Sequence, residues 1–246
     1  MSLKINSGSS DNYGVVVERY PSRPVPARRY TAYQIPGRSG DLIFTEDAFN
    51  SVEQSYEIYI KGTGGLTFQQ ACVKAASWLM GNGGNVRIED SYDPAVYRRG
   101  VFVGPMDIAN VLNQFGRATV TYYCQPWRYI SSGTNAIEIT SSPYTLTNPT
   151  TGTYGAYYKC EPEITVYGSG AGQVKVGSYT VDISAIDDGM TIDSETMNTY
   201  NNLNNDNHLV TFSPTYTYPT LDSTSTIVKF SGGVTKLEIV PNWRII

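Results

Sequence analysis

Alternation of apolar and polar positions is the clearest pattern along the chain. Tyr56, Ile58 and Ile60 are interleaved with Ser55, Glu57 and Tyr59, the period of a strand with one buried face. Arg117–Cys124 repeats it, with Ala118, Val120, Tyr122 and Cys124 on one side, and this strand is expected to stop at Gln125-Pro126-Trp127-Arg128. Val15–Val17, Val86–Glu89 and Gly100–Gly104 read as shorter strands, the last two flanking Tyr97-Arg98-Arg99. Only one segment has helical spacing. Phe68, Ala71, Cys72, Ala75 and Leu79 share a helix face, Thr67 is placed to cap its start, and Gly81 follows its last residue, Met80. Cys72 sits on that apolar face and reads as core rather than as a nucleophile. The first half is therefore expected to be a β-sandwich or barrel with one helix packed on it.

The stretch Tyr33–Phe44 is where the first half turns most sharply. Pro36 fixes its own φ, Gly37 and Gly40 are free to take positive φ, and Arg38, Ser39 and Asp41 lie among them. A phosphate-cradling loop would need a longer glycine pattern, a lysine and a helix starting at once. Instead Leu42, Ile43 and Phe44 read as a buried strand leaving the turn, with the first domain closing around it. Ahead of it, Arg19–Arg29 holds three prolines and several arginines, so it is expected to be extended and exposed. Such an arm or edge suits pairing with a neighbouring acidic surface better than nucleic-acid binding, because the domain is barely basic overall and no aromatic stacking module accompanies the arginines.

The second half carries only strand patterns: Ile164/Val166, Val174/Val176, Tyr179/Val181/Ile183, Met190/Ile192, Leu209–Phe212, Ile227–Phe230 and Thr235–Val240, with turn residues between them. That argues a β-sandwich of jelly-roll or lectin-like type. The asparagine-rich Asn198–His208 reads as a polar loop or hairpin tip, without the ligand spacing of a calcium-binding loop. A Ser/Thr/Asn/Gly-rich stretch after Tyr129 places the expected domain boundary near 130–135, giving domains 1–131 and 132–246.

Composition agrees with a mainly β protein: 20 Tyr, 23 Gly and 13 Pro, with only 16% charged residues. Charge supports two units, since residues 1–131 carry 13 basic and 11 acidic groups (+2) and residues 132–246 carry 5 and 11 (−6). Cys72, Cys124 and Cys160 form neither a paired nor a metal-like set, as expected of a protein folded in a reducing cytoplasm. The start of the chain lacks a signal peptide's apolar core, and no run approaches the roughly twenty apolar residues of a membrane span.

Catalytic chemistry is not evident. His208 is the single histidine, which leaves little room for a histidine-based triad or metal site. Asp187/Asp188 and Asp193/Glu195 are carboxylate pairs, but adjacent acids beside a glycine are ordinary turn residues. No enzyme activity, cofactor or metal is expected.

Five segments together resemble one family. They are Ile35-Pro36-Gly37-Arg38-Ser39-Gly40-Asp41-Leu42 with the strand Tyr56–Ile60, then Tyr122–Trp127, Met190–Glu195 and Ser231–Arg244. In order and spacing they resemble the distal tail proteins (Dit) of long-tailed, non-contractile phages. The resemblance implies a tail-tube-like N-terminal β domain that closes into a six-fold ring around the DNA channel. It also implies a galectin-like or carbohydrate-module-like C-terminal sandwich facing outward. Partners would be further copies of the chain, the tail-tube protein, and tail-associated fibre or receptor-binding proteins at the virion tail tip. Host cell-wall glycan would be a further contact, DNA would only pass through, and no membrane would be bound. The ending departs from the family's usual one, because Pro219 is followed by no Gly-Asn pair. If a ring forms, its contacts are expected at Arg28, Arg29, Pro36, Gly37 and Arg38. The competing reading from another class is a carbohydrate-binding module, motivated by the tyrosines and the lectin-like second half.

Overall fold

The computed structural model describes residues 1–81, 83–111, 114–154 and 158–246. It divides into two compact units, residues 1–128 with 246, and residues 129–245. The fold is mainly β with one α-helix among the described residues.

In the first unit the elements run β1 (Leu3–Ile5), β2 (Gly8–Ser9), β3 (Val15–Val17), β4 (Arg28–Tyr33), β5 (Leu42–Phe49), β6 (Val52–Lys61), α1 (Phe68–Met80), β7 (Val86–Asp90), β8 (Val96–Phe102), β9 (Ala109–Val111) and β10 (Phe115–Ile130). The main sheet has the order β2-β1-β7-β8-β10-β6-β3. Its spine is the antiparallel ladder from Phe115↔Lys61 to Cys124↔Val52, which sets Ala118 opposite Ile58 and Val120 opposite Tyr56. Because the side-chain period is two, this register sends every residue of the predicted stripe to one face, and all of them are buried. Helix α1 covers that face. Its start is a capping box in which Gln70 N–H donates to Thr67 Oγ1 (3.3 Å) and Thr67 N–H donates to Gln70 Oε1 (3.0 Å). Phe68, Ala71, Ala75, Trp78 and Leu79 are buried, and the Trp78 ring stacks on Tyr13 at 4.7 Å. Each large aliphatic chain buried here contributes about 1.5–3 kcal/mol.

Two strand boundaries differ from the sequence reading. Strand β8 begins at Val96, so Tyr97, Arg98 and Arg99 lie inside a strand, and Arg98 is buried. Strand β10 continues to Ile130 instead of stopping before Pro126. The ladder to β6 ends at Cys124↔Val52, so the missing N–H of Pro126 removes no bond from it.

The second unit holds the end of β10 and then β11 (Ile137–Ile139), β12 (Tyr144–Thr147), β13 (Glu163–Val176), β14 (Tyr179–Asp193), β15 (Asn198–Asn201), β16 (Asn204–Asn205), β17 (Val210–Ser213), β18 (Ser225–Val240) and β19 (Arg244–Ile245). The predicted short strands are here joined into three long ones, with β13 at the centre between β14 and β18. Register shifts at Gly168–Gly172 bend β13 and let the sheet curl into two halves. One half of β18 pairs with β11 and the other with β12; β14 likewise divides between β15 and β17. Ile164, Val166, Val174, Val176, Leu237 and Ile239 fill the interior. Asn198–Asn205 forms the expected hairpin tip, turning at Asn202 with φ +54°. The chain end is tied in by Ile130 N–H donating to the Trp243 carbonyl (2.8 Å) and by a two-pronged Arg244–Glu161 pair at 2.6 and 3.0 Å.

The bend leaves no room for side chains. A Cβ on Gly168, whose φ is +154°, would lie 2.0 Å from the Gly233 carbonyl oxygen, and one on Gly233 would lie 1.9 Å from that of Ser169. Gly168→Ala is therefore expected to lower the stability of this unit by about 3 kcal/mol, whereas Gly152→Ala, which meets nothing within 4 Å, changes it by less than about 0.5 kcal/mol. Urea unfolding followed by circular dichroism measures both.

The thiols also separate by environment. Cys124 and Cys160 are buried, and burial pushes the Cys124 thiol up to about 11 despite nearby Arg98. Cys72 is partly exposed on the shoulder of the helix core. A thiol reagent at mildly alkaline pH should modify Cys72 in the native protein and reach the other two only after unfolding.

Candidate functional site

Strands β4 and β5 belong to neither main sheet. They pair only with each other among the described residues, with Tyr30 opposite Thr45, Thr31 opposite Phe44, Ala32 opposite Ile43 and Tyr33 opposite Leu42. The tip is a hydrogen-bonded turn, Ile35-Pro36-Gly37-Arg38, in which Arg38 N–H donates to the Ile35 carbonyl at 3.1 Å. Proline at its second position and Gly37 at φ +80° in its third are what a type II turn requires. At the base, Asn50 N–H donates to the Ala27 carbonyl (2.9 Å) and Arg29 Nε to Asn50 Oδ1 (3.2 Å). Arg28 lies over the Phe49 ring at 5.0 Å, and Phe49 meets Trp127 edge-on at 5.5 Å.

The five residues singled out from the sequence therefore share one arm. Arg28 and Arg29 stand at its base, and Pro36, Gly37 and Arg38 at its tip, a strand length of about 20 Å away. All five are exposed. The expectation that Leu42–Phe44 is a buried exit strand, with the domain closing around it, is overturned: Ile43 is 59% and Phe44 55% exposed. A continuous apolar run normally marks a strand buried on both faces, and here, among the described residues, no third strand pairs with the arm and both its faces carry exposed apolar side chains.

Cross-strand pairing assigns those faces. Thr31, Tyr33, Leu42 and Phe44 share one side, where the Tyr33 and Phe44 rings meet edge-on at 5.9 Å. Tyr30, Ala32, Ile43 and Thr45 share the other. Each side thus shows a large aromatic ring to solvent, and each carries an aliphatic residue as well. The sequence reading recognised the apolar run Leu42–Phe44 but took it as buried, and placed the exposed contact surface on the arginines and the turn alone.

The arm's charges are Arg28, Arg29 and Arg38 against Asp41, Glu46 and Asp47, with Arg28 3.8 Å from Asp47. Elsewhere, Asp193 is used as a turn cap, accepting from the N–H groups of Glu195 (2.9 Å) and Thr196 (3.2 Å) and from the Thr196 hydroxyl (2.7 Å). No cluster of metal-ligating side chains occurs among the described residues, and no described helix is long and apolar enough to cross a membrane.

No family model and no curated protein matches this chain. Solved structures do. The chain is similar to the Dit (gp 19.1) protein of phage SPP1, a paradigm of the hub adsorption apparatus in phages infecting Gram-positive bacteria, with 15% identity and a TM-score of 0.70 over 100% of this chain and 99% of that one. It is also similar to a chain of the phage P2 baseplate in its activated conformation with calcium, at 10% identity and a TM-score of 0.55 over 97% and 96% of the two chains. The same baseplate with strontium gives 9% identity and 0.52 over 97% of each. Over its full length, the chain has the fold of phage hub and baseplate proteins.

Proposed function

We propose that this chain is a non-enzymatic structural subunit of the tail tip of a long-tailed, non-contractile phage or prophage. In that role the first unit closes into a six-fold ring that joins the tail tube to the adsorption apparatus, and DNA passes through its channel. The observation that carries the reading is the likeness to the SPP1 hub protein across the whole of both chains, covering both units and their order. The arm supplies the means of assembly. An isolated two-stranded ribbon is marginal in water, and this one leaves apolar side chains exposed on both faces and, among the described residues, pairs with no third strand along either edge. A neighbouring copy would cover it, and because the arm's three basic and three acidic side chains balance, the contact needs no strongly charged partner. A contact between different patches of identical chains closes into a ring when the rotation permits.

A second reading, compatible with the first, is glycan contact by the second unit. Phe212 and Tyr218 lie ring to ring at 4.2 Å and Tyr216 is 90% exposed beside them, lining a groove of about 480 Å³ with Met197, Asn207 and Thr211. Exposed rings beside hydroxyl and amide groups are what a sugar face requires.

Light scattering coupled to gel filtration, followed by negative-stain imaging, tests the ring. We expect six-fold particles at high concentration. A double Tyr30→Ser, Phe44→Ser variant should stay monomeric with thermal stability within a few degrees of the native chain, since neither side chain enters the core. A strictly monomeric native protein, together with tails that contain no ring of it, would overturn the proposal. On a glycan array, dose-dependent binding by the whole chain that disappears in Tyr216→Ala would establish the second reading, and no binding would remove it.

A further inference from the structure

Within the first unit, a cavity of about 130 Å³ lies beneath the extended segment Tyr20–Arg23, against strands β6, β7 and β8. Its floor holds Arg98, which is 7% exposed. Arg98 Nη2 donates to the Pro24 carbonyl at 3.1 Å, but Nη1 is buried without a hydrogen-bond partner, and no carboxylate among the described residues forms an ion pair with this guanidinium. The Tyr92 hydroxyl, on the same cavity wall, is also buried and unpartnered. Two buried donors on residues that line the cavity therefore lack an acceptor.

The acids nearby are already engaged. Asp90 Oδ1 accepts from the N–H groups of Tyr92 (3.0 Å) and Asp93 (3.2 Å), and its Oδ2 accepts from the Tyr56 hydroxyl (3.4 Å). Asp93 Oδ2 accepts from Arg128 Nη2 and stands 3.6 Å from Arg23 Nη1. Three guanidinium groups thus line the cavity against two carboxylates, an excess of one positive charge. Burial pushes the Arg98 pKa down, and the like charge of Arg128 adds to that effect. Buried charges in proteins are ordinarily paired, and a buried N–H is ordinarily satisfied.

We propose that this cavity binds a small oxyanion, a phosphate or a carboxylate, held by Arg98 Nη1 and the Tyr92 hydroxyl and admitted past Arg23. An oxyanion supplies both what the donors lack and the missing negative charge, whereas water supplies only the first. The site also bears on the arm. Arg98 and Gln54 pin the connector that leads into β4, Arg98 through the Pro24 carbonyl and Gln54 through that of Ser22 at 2.8 Å, so occupancy fixes the segment from which the arm extends. This inference stands on the cavity alone and is independent of the proposed tail role.

The test titrates the full-length protein with sodium phosphate and, separately, sodium acetate, at constant ionic strength maintained with sodium chloride, while following the thermal midpoint and the phosphorus NMR line of the phosphate. The expected result is a midpoint that rises and saturates with at least one oxyanion, accompanied by a broadened phosphate resonance where phosphate is the ligand. Arg98→Met should abolish the rise and, without oxyanion, be no less stable than the native chain, because an apolar residue of similar length suits a buried site better than an unpaired charge. Tyr92→Phe, which keeps the ring and removes one donor, should weaken the affinity several-fold. A midpoint indifferent to both anions would mean a cavity holding only water and would overturn the proposal. An equal rise in Arg98→Met would overturn it too, as would unchanged affinity in Tyr92→Phe should Arg98→Met fail to fold.

Discussion

A strand has two edges and two faces, and the main constraint on this molecule is that each must be paired, buried or left to water. Strand β13 meets it fully: β14 lies on one edge and β18 on the other, and Ile164, Val166, Val174 and Val176 are buried. Strands β6 and β10 meet it through their long shared ladder, with helix α1 covering the buried face of β6. The β4–β5 arm does not meet it. Among the described residues its two strands pair only with each other, and apolar side chains on both faces are exposed. The contrast distinguishes parts of the chain whose edges and faces are covered by the chain itself from a part in which, among the described residues, they are not.

The same constraint explains what was legible in the sequence. Tyr56, Ile58 and Ile60 alternate because one face of β6 is buried, and the capping residues of α1 declare themselves locally through Thr67 and Gln70. Such patterns are set by near neighbours. The length of β13, β14 and β18 was not legible, because Gly168, Gly170 and Gly172 look like turn punctuation when they are in fact bulges within a paired strand. Arg98 was equally opaque. An arginine beside another arginine reads as surface, and its burial depends on a distant segment, Tyr20–Pro24, which runs over the same cavity and accepts its hydrogen bond. Of the candidate site, the turn chemistry at Pro36 and Gly37 could be read directly. The exposure of Ile43 and Phe44 could not, since an apolar run carries no mark of whether its cover comes from its own chain.

A ribbon with apolar faces and open edges is an aggregation hazard, and its charges bear on how the chain tolerates it. Arg28 and Arg29 stand at the base of β4, Glu46 and Asp47 toward the end of β5, and Arg38 and Asp41 bracket the tip. Charges at both ends of a short edge strand disfavour open-ended stacking of identical strands, because a partner in the wrong register sets like charges side by side. A partner in the right register sets Arg28 near an acidic residue, as Asp47 already does within one chain. The arm is thus apolar enough to gain from being covered and charged enough to restrict how that happens. Those are the two properties that a closed assembly of copies demands of its contact surface, and a chain whose isolated arm was wholly polar or wholly apolar would have only one of them.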